Sequence, residues 1–237
     1  MATPHVSGLI ALMKQANAAW TPAFIKDALI NTALQLDGYD IYEQGGGRIQ
    51  APDAVQTTML MDPGSYSFGV LSAPPVAAAY SDFSVYNLGG SAFDVSLSVT
   101  LVDIQSGSSY SSAATMNVTS LSVSGSSSKG IRLTIDLTSL PTSVYSGLIC
   151  ATRTDGKTIH SVFGFAKLRT VKVTKLNRQG TTASGDYLYA WKTDASSWFD
   201  LMLNFRSALA DTGGHATFFL GDGVYTFASF DSDETGM

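Results

Sequence analysis

The hydrophobic period of this chain changes once, near Pro63, and that change limits its possible folds more than any other feature. Before it, apolar residues recur at three- and four-residue spacing. Val6, Leu9, Ile10 and Met13 form one run, and Phe24, Ile25, Ala28, Leu29, Thr32 and Ala33 a second. Two helices are expected. Pro4 suits the first turn of one; Thr21 is a natural N-cap and Pro22 a natural first residue for the other. Ala2, Ser7, Gly8 and Ala11 keep the far side of the first helix slim, so it can pack closely on both faces, as inside a larger domain. Gly45-Gly46-Gly47 reads as a loop, and a short helix is expected near Ala51–Thr57.

After Pro63 the period is two. Phe83 and Val85, then Phe93, Val95, Leu97, Val99 and Leu101, alternate with small or polar residues. Asn87-Leu88-Gly89-Gly90 between them reads as a hairpin-like turn. Further strand runs lie at Met116–Val123, Ile131–Leu137, Tyr145–Thr152 and Thr158–Leu168. Asp155-Gly156 joins the last two as a two-residue hairpin. The Ser/Gly-rich stretches 106–112 and 124–130 read as loops. About seven short strands in roughly 100 residues suggest an antiparallel sandwich. From Arg169 a second β unit is expected, with strands at Val171–Val173 and Tyr187–Trp191 and a hairpin of His215–Leu220 with Val224–Ser229 around Gly221-Asp222-Gly223. At about 69 residues it is small for a sandwich with its own core, so the C-terminus reads as a cut rather than a natural end.

Composition narrows the function. Charged residues make up 14% of the chain, the net charge is −5 and there is no basic run, which argues against nucleic acid as a partner. Cys150 is the one cysteine, so no internal disulfide can form and Cys-based zinc sites are excluded. No apolar stretch reaches the ~18 residues of a membrane span. The first residues do not read as a signal peptide: a basic leader is missing, and Pro4, His5, Lys14 and Gln15 interrupt any apolar core.

Met1-Ala2-Thr3-Pro4-His5-Val6-Ser7-Gly8 closely resembles the segment that follows the nucleophilic serine of subtilisin-like serine proteases. The resemblance continues through Trp20-Thr21-Pro22, through Ile25-Lys26-Asp27-Ala28-Leu29-Ile30-Asn31-Thr32-Ala33, and into Gly45-Gly46-Gly47-Arg48-Ile49-Gln50-Ala51 and Ala54-Val55. It covers residues 1–58 and implies the closing helices of the catalytic domain. The family's nucleophile would immediately precede Met1, and its base and orienting acid would come from earlier segments, so no catalytic residue is expected in this chain. Residues 64–168 resemble a fibronectin-type-III-like domain, carried by Ser65-Tyr66-Ser67-Phe68-Gly69 and Phe83-Ser84-Val85-Tyr86-Asn87-Leu88-Gly89. Residues 169–237 resemble a truncated prealbumin-like or carboxypeptidase-regulatory-like β domain, from Gly214–Leu220 and Gly223–Phe227. The implied fold is mixed: C-terminal helices of an α/β subtilisin-like domain followed by all-β antiparallel sandwich domains. The implied parent hydrolyses polypeptides at the cell envelope or outside the cell, and its missing N-terminal part is the partner of residues 1–58. Without that body, Val6, Leu9, Ile10 and Met13 should lack their surface and residues 1–58 should be loosely ordered. The rival reading is a non-enzymatic extracellular β-domain array for adhesion or substrate docking, carrying a protease remnant.

The other chemistry-bearing residues read mostly as structural. His5 lies past the serine's place and is expected as a packed, hydrogen-bonded core histidine. His160 sits beside Ser161 in a strand and His215 beside a glycine turn; neither placement implies a new triad. Asp231, Asp233 and Glu234 miss the calcium-loop pattern and read as an acidic tail. Asp37, Asp40 and Glu43 read as surface. Gly45-Gly46-Gly47 lacks the Lys-Ser/Thr of a phosphate loop. Asn117-Val118-Thr119 is a glycosylation sequon, a motif short enough to arise by chance. Trp191, Trp198, Phe199 and Phe205 could pave a carbohydrate or peptide surface, although a sandwich core is the favoured use. No cofactor or metal is expected.

Overall fold

A computed structural model describes residues 2–72, 77–177, 180–195 and 204–229. Its helices are α1 (Ala2–Ala16), α2 (Pro22–Asn31), α3 (Ile41–Gln44) and α4 (Ala51–Gln56). Among the described residues, all other regular structure is β, apart from one short 3-10 turn at Ser111–Ala113. Thr21 caps α2 as its type predicts, its hydroxyl accepting from the Phe24 N–H at 3.2 Å. α3 is too short to carry a period. Its signal is a capping box: the Asp40 carboxylate accepts from Tyr42 N and Glu43 N, and Glu43 Oε2 accepts from Asp40 N. No helix among the described residues is long and apolar enough to cross a membrane.

The chain divides into two compact units. The first comprises Met1–Gly69, Val76–Leu140 and Val144–Ala166; the second comprises Val70–Pro75, Pro141–Ser143 and Lys167–Met237. The strands of the first are β1 (Met59–Asp62), β2 (Ser65–Ser72), β3 (Ala78–Asn87), β4 (Phe93–Asp103), β5 (Ala114–Met116), β6 (Ser120–Val123), β7 (Ser127–Asp136), β8 (Ser143–Arg153) and β9 (Thr158–Thr174), the ends of β2, β8 and β9 falling in the second unit. One sheet has the order β1-β3-β7-β5, and in the other β6, β4, β8 and β9 are neighbours. Alternation places Phe83, Val85, Ile131, Leu133 and Ile135 from the first sheet, and Val95, Leu97, Leu101, Tyr145 and Ile149 from the second, among the buried residues.

Several local expectations need correction. β3 and β4 lie in different sheets, so Asn87–Gly90 is a crossover and not a hairpin. The Asn87 side chain sets it, accepting from Gly89 N and donating to Ser91 O and Val123 O. The run Met116–Val123 breaks in two, because Asn117 turns β5, paired with β7, into β6, paired with β4. Most of stretch 124–130 is strand, not loop. A hairpin forms at Asp155-Gly156, but its loop is three residues, Thr154-Asp155-Gly156, and not two: Arg153 N bonds to Lys157 O, Gly156 N bonds to Arg153 O, and Gly156 sits at φ +86°.

Residues Ile159–Phe165 of β9 are buried without alternation. A strand covered on both faces reads this way. The helical segment supplies one cover, since the Tyr42 hydroxyl and Ile41 reach to Gly164 so closely that a Cβ there would meet them at 2.6 and 2.9 Å. Leu9 and Met13, expected to need a surface outside this chain, are buried with Ile25, Ala28, Ala54 and Leu60. Val6 and Ile10 are half-buried.

In the second unit, β10 (Tyr187–Lys192), β11 (Arg206–Leu209) and β13 (Tyr225–Ser229) form a three-stranded sheet, while β12 (His215–Leu220) pairs with the end of β9. β12 and β13 are therefore not hairpin partners, despite the glycine turn between them. The small core is Leu188, Ala190, Ala210, Ala216, Phe218 and Leu220, joined by a buried ion pair of Lys175 with Asp186.

Candidate functional site

A buried polar cluster of the first unit lies where α2 meets β1 and β9. α2 buries Ile25, Asp27, Ala28 and Asn31. Two of the four are polar, at i and i+4 on one face. Asn31 Oδ1 accepts from Met61 N at 2.7 Å, and its Nδ2 donates to His160 O at 2.9 Å. Asp27 Oδ1 accepts from Gly64 N at 2.8 Å, while its buried Oδ2 has no hydrogen-bond partner. The His160 Nε2–H donates to Gly46 O at 3.0 Å, beside Gln35 Nε2, which donates to the same carbonyl at 2.6 Å. Ser161 Oγ donates to Pro63 O at 2.7 Å.

Burial sets the electrostatics of this cluster. It pushes the Asp27 carboxyl above the usual carboxylate range, against the lowering bond from Gly64, and the neighbouring Asp62 carboxylate pushes it further. Burial also holds His160 below its ordinary value, opposed by the Gly46 carbonyl. His160 and Ser161 are both buried and bonded to separate backbone carbonyls, as neighbours on a strand must face opposite ways. They do not form a nucleophile–base pair. The cluster fixes backbone rather than offering reactive atoms.

A more open feature of the same unit is a cleft of about 390 Å³ lined by Thr32, Asp53, Thr57, Thr58, Arg153 and Lys157, among others. Arg153 lies over the Phe93 ring at 4.7 Å, donates to Thr58 Oγ1 at 3.1 Å and pairs with Asp155 at 2.9 Å.

His5 is exposed on α1, contrary to the expected core position; burial on this helix begins only at Leu9. His215 is exposed, with Nδ1 3.0 Å from Thr174 Oγ1. The Asp211 carboxylate accepts from the backbone N–H of His215 and Gly213, which holds it below the usual carboxylate range. It serves a turn and not the imidazole. Asp37 is exposed, and Asp40 and Glu43 are spent on the capping box. Gly47 has φ +103°, and a Cβ there would strike Leu34 O at 2.4 Å, so the triple glycine answers a backbone need. Asn117 is exposed, its Oδ1 accepting from Arg132 N. Cys150 is half-buried, with its thiol pushed up by burial. Trp191 is half-buried and Phe205 exposed. Met1, Trp198, Phe199, Asp231, Asp233 and Glu234 lie outside the described residues. The sequence reading missed Asp27 and Asn31 as a cluster. Their signal was two polar residues four apart inside an apolar helical stripe.

The N-terminal region has clear relatives. Over 74 residues the chain is 42% identical to the minor extracellular protease Vpr of Bacillus subtilis, covering 29% of this chain and 9% of that protein. It is 42% identical over 71 residues to the subtilisin-like protease SBT1.5 of Arabidopsis thaliana, covering 27% and 9%. With SBT3.3 of the same plant it shares 29% identity over 104 residues, covering 38% and 13%. The chain thus spans only about a tenth of the length of these relatives. The model of the subtilase family matches residues 1–69, the helical region with β1 and the start of β2.

Proposed function

We propose that this chain is the C-terminal part of a subtilisin-like serine endopeptidase whose Ser-His-Asp triad lies in preceding sequence. The observation that carries this reading is the subtilase match over residues 1–69, with Ala2–Gly8 at the start of α1. In this reading the nucleophile stands just before Met1, at the N-terminal end of α1. Helix-end N–H groups and the dipole there favour the negative charge that develops on the substrate carbonyl oxygen. The serine oxygen attacks that carbonyl, a histidine from preceding sequence takes its proton, and an aspartate orients the histidine. This chain holds the helix in place. Leu9 and Met13 seat α1 on α2, α4 and β1, and the Asn31–His160 bond ties α2 to β9.

Residues 64–168 are then an accessory fibronectin-type-III-like β-sandwich and 169–237 a prealbumin-like β domain, in a parent working outside the cell or at its envelope on polypeptide substrates. The test compares this chain with a longer product of its gene that includes the preceding sequence. Each is incubated with casein and with a serine-directed fluorophosphonate probe. The longer protein should turn over casein and label stoichiometrically, and the chain alone should do neither. Labelling of the chain alone would overturn the placement of the nucleophile. A longer frame without Gly-Thr-Ser before Met1 would favour the non-enzymatic β-domain array.

A further inference from the structure

In the sheet β11-β10-β13 of the second unit, alternate residues face opposite ways. Leu188 and Ala190 point into the small core. Tyr187, Tyr189 and Trp191 therefore occupy the other face of β10. The register sets Leu209 beside Tyr187, Ser207 and Ala228 beside Tyr189, and Thr226 beside Trp191, with Phe205 continuing the row on the β11 side. None of these eight outward positions carries a charge. Tyr187 is 55% exposed and Phe205 45%. Their rings and that of Tyr189 incline by only 31° from one to the next, at centroid separations of 6.4 and 5.9 Å. Most ring pairs in the first unit meet edge-on at 65–85°. The row on β10 and β11 thus carries exposed rings at Tyr187 and Phe205 on either side of the half-buried Tyr189 ring, with half-buried Trp191 and the exposed Ser207 and Thr226 on the same face.

We propose that this face binds a neutral polysaccharide. A sugar ring has an apolar C–H face and a hydroxyl edge. Flat aromatic rings cover the first, and Tyr187, Ser207 and Thr226 hydroxyls reach the second. Successive rings suit successive sugars of one chain. Nucleic acid also stacks on aromatic strips, but it requires a positively charged groove. The face is uncharged, and the chain as a whole carries a net charge of −5. An uncharged, polyhydroxylated polymer is the ligand that matches both facts. This site does not depend on the protease reading, and neither result below bears on residues 1–69.

Native gel electrophoresis of the whole chain through gels containing soluble β-glucan, xylan or galactomannan tests it. At least one of these should retard the protein. Tyr187→Ala and Phe205→Ala should each weaken retardation about tenfold, by analogy with the loss of one stacking ring. Tyr187→Phe should keep most of it. Tyr80→Ala, which removes an exposed ring of the first unit, should leave it unchanged. Matching circular dichroism spectra separate lost binding from lost folding. The proposal fails if no neutral glycan retards the wild type, or if only an anionic one does. It fails equally if the alanine variants run as the wild type does, or if they split a wild-type dimer in sedimentation, which would assign the face to a second copy of the chain.

Discussion

Asn31 and His160 lie 129 positions apart, yet the side-chain amide of one donates to the main-chain carbonyl of the other at 2.9 Å. The same amide accepts from Met61 N, so one side chain, 1% exposed, joins α2 to β1 and β9. Asn31→Ala leaves a buried N–H and a buried C=O without partners. It should lower stability by about 2–4 kcal/mol. Urea unfolding followed by fluorescence reads this directly, and an unchanged midpoint would refute the tie.

Asp27 gives a pH-dependent prediction. Its carboxyl is raised first by burial, so the folded state holds the proton more tightly than the unfolded chain does. Its favourable contribution is greatest below the ordinary carboxylate pKa, about 3.9, and is lost as pH rises through the folded value. Asp27→Asn keeps an acceptor for Gly64 N and removes the charge beside Asp62. The variant should be more stable than wild type at pH 7, with the gap closing toward pH 4. A variant less stable than wild type at pH 7 would contradict this.

His160 acts in the opposite sense. Burial lowers its pKa, so folding favours the neutral ring. Its contribution is complete above the ordinary histidine value, about 6.5, and is lost as pH falls through the lower folded value. Replacement by glutamine, whose amide can still donate to Gly46 O, should flatten the stability profile below the ordinary histidine value of about 6.5. Equal slopes in wild type and His160→Gln would rule the ring out as the source.

Gly147 faces the Phe163 ring so closely that an added Cβ would fall 2.1 Å from Cζ. Phe163 is fully buried and has little room to retreat. Gly147→Ala should cost about 1–3 kcal/mol through overpacking. Gly156→Ala meets no neighbour but must adopt φ +86°, so its cost should come from backbone strain alone. Thermal melts of the two variants, with Phe163→Leu as second site, separate the causes: only the Gly147 variant should be relieved by the smaller partner.

Much of the secondary structure was legible because helix and strand periods are local. Thr21-Pro22 and Asp155-Gly156 marked their elements through chemistry confined to a few residues. What could not be read was which strand pairs with which. Asn87–Gly90 has the composition of a hairpin turn, but Asn87 spends its amide on Val123, and a crossover results. The glycine turn before β13 misled in the same way. Of the polar cluster, Asp27 and Asn31 were visible as residues, but their partners Gly64, Met61 and His160 follow from tertiary approach. The exposure of His5 depends on what lies over one helical turn, and the turn's own sequence does not encode that.

The Asn31–His160 bond has a consequence for how the chain is made. At a synthesis rate of about 5–20 residues per second, the 129 residues between them take roughly 6–26 s to add. Leu9, Met13, Ile25, Ala28, Ala54 and Leu60 all emerge early and can collapse together during that wait. The Asn31 amide of α2 and the Ile41–Tyr42 surface, which β9 meets at His160 and Gly164, stay bare until those residues leave the ribosome. A nascent chain stalled before that point is a half-closed clasp, sticky on the one surface that its own late strand was meant to cover.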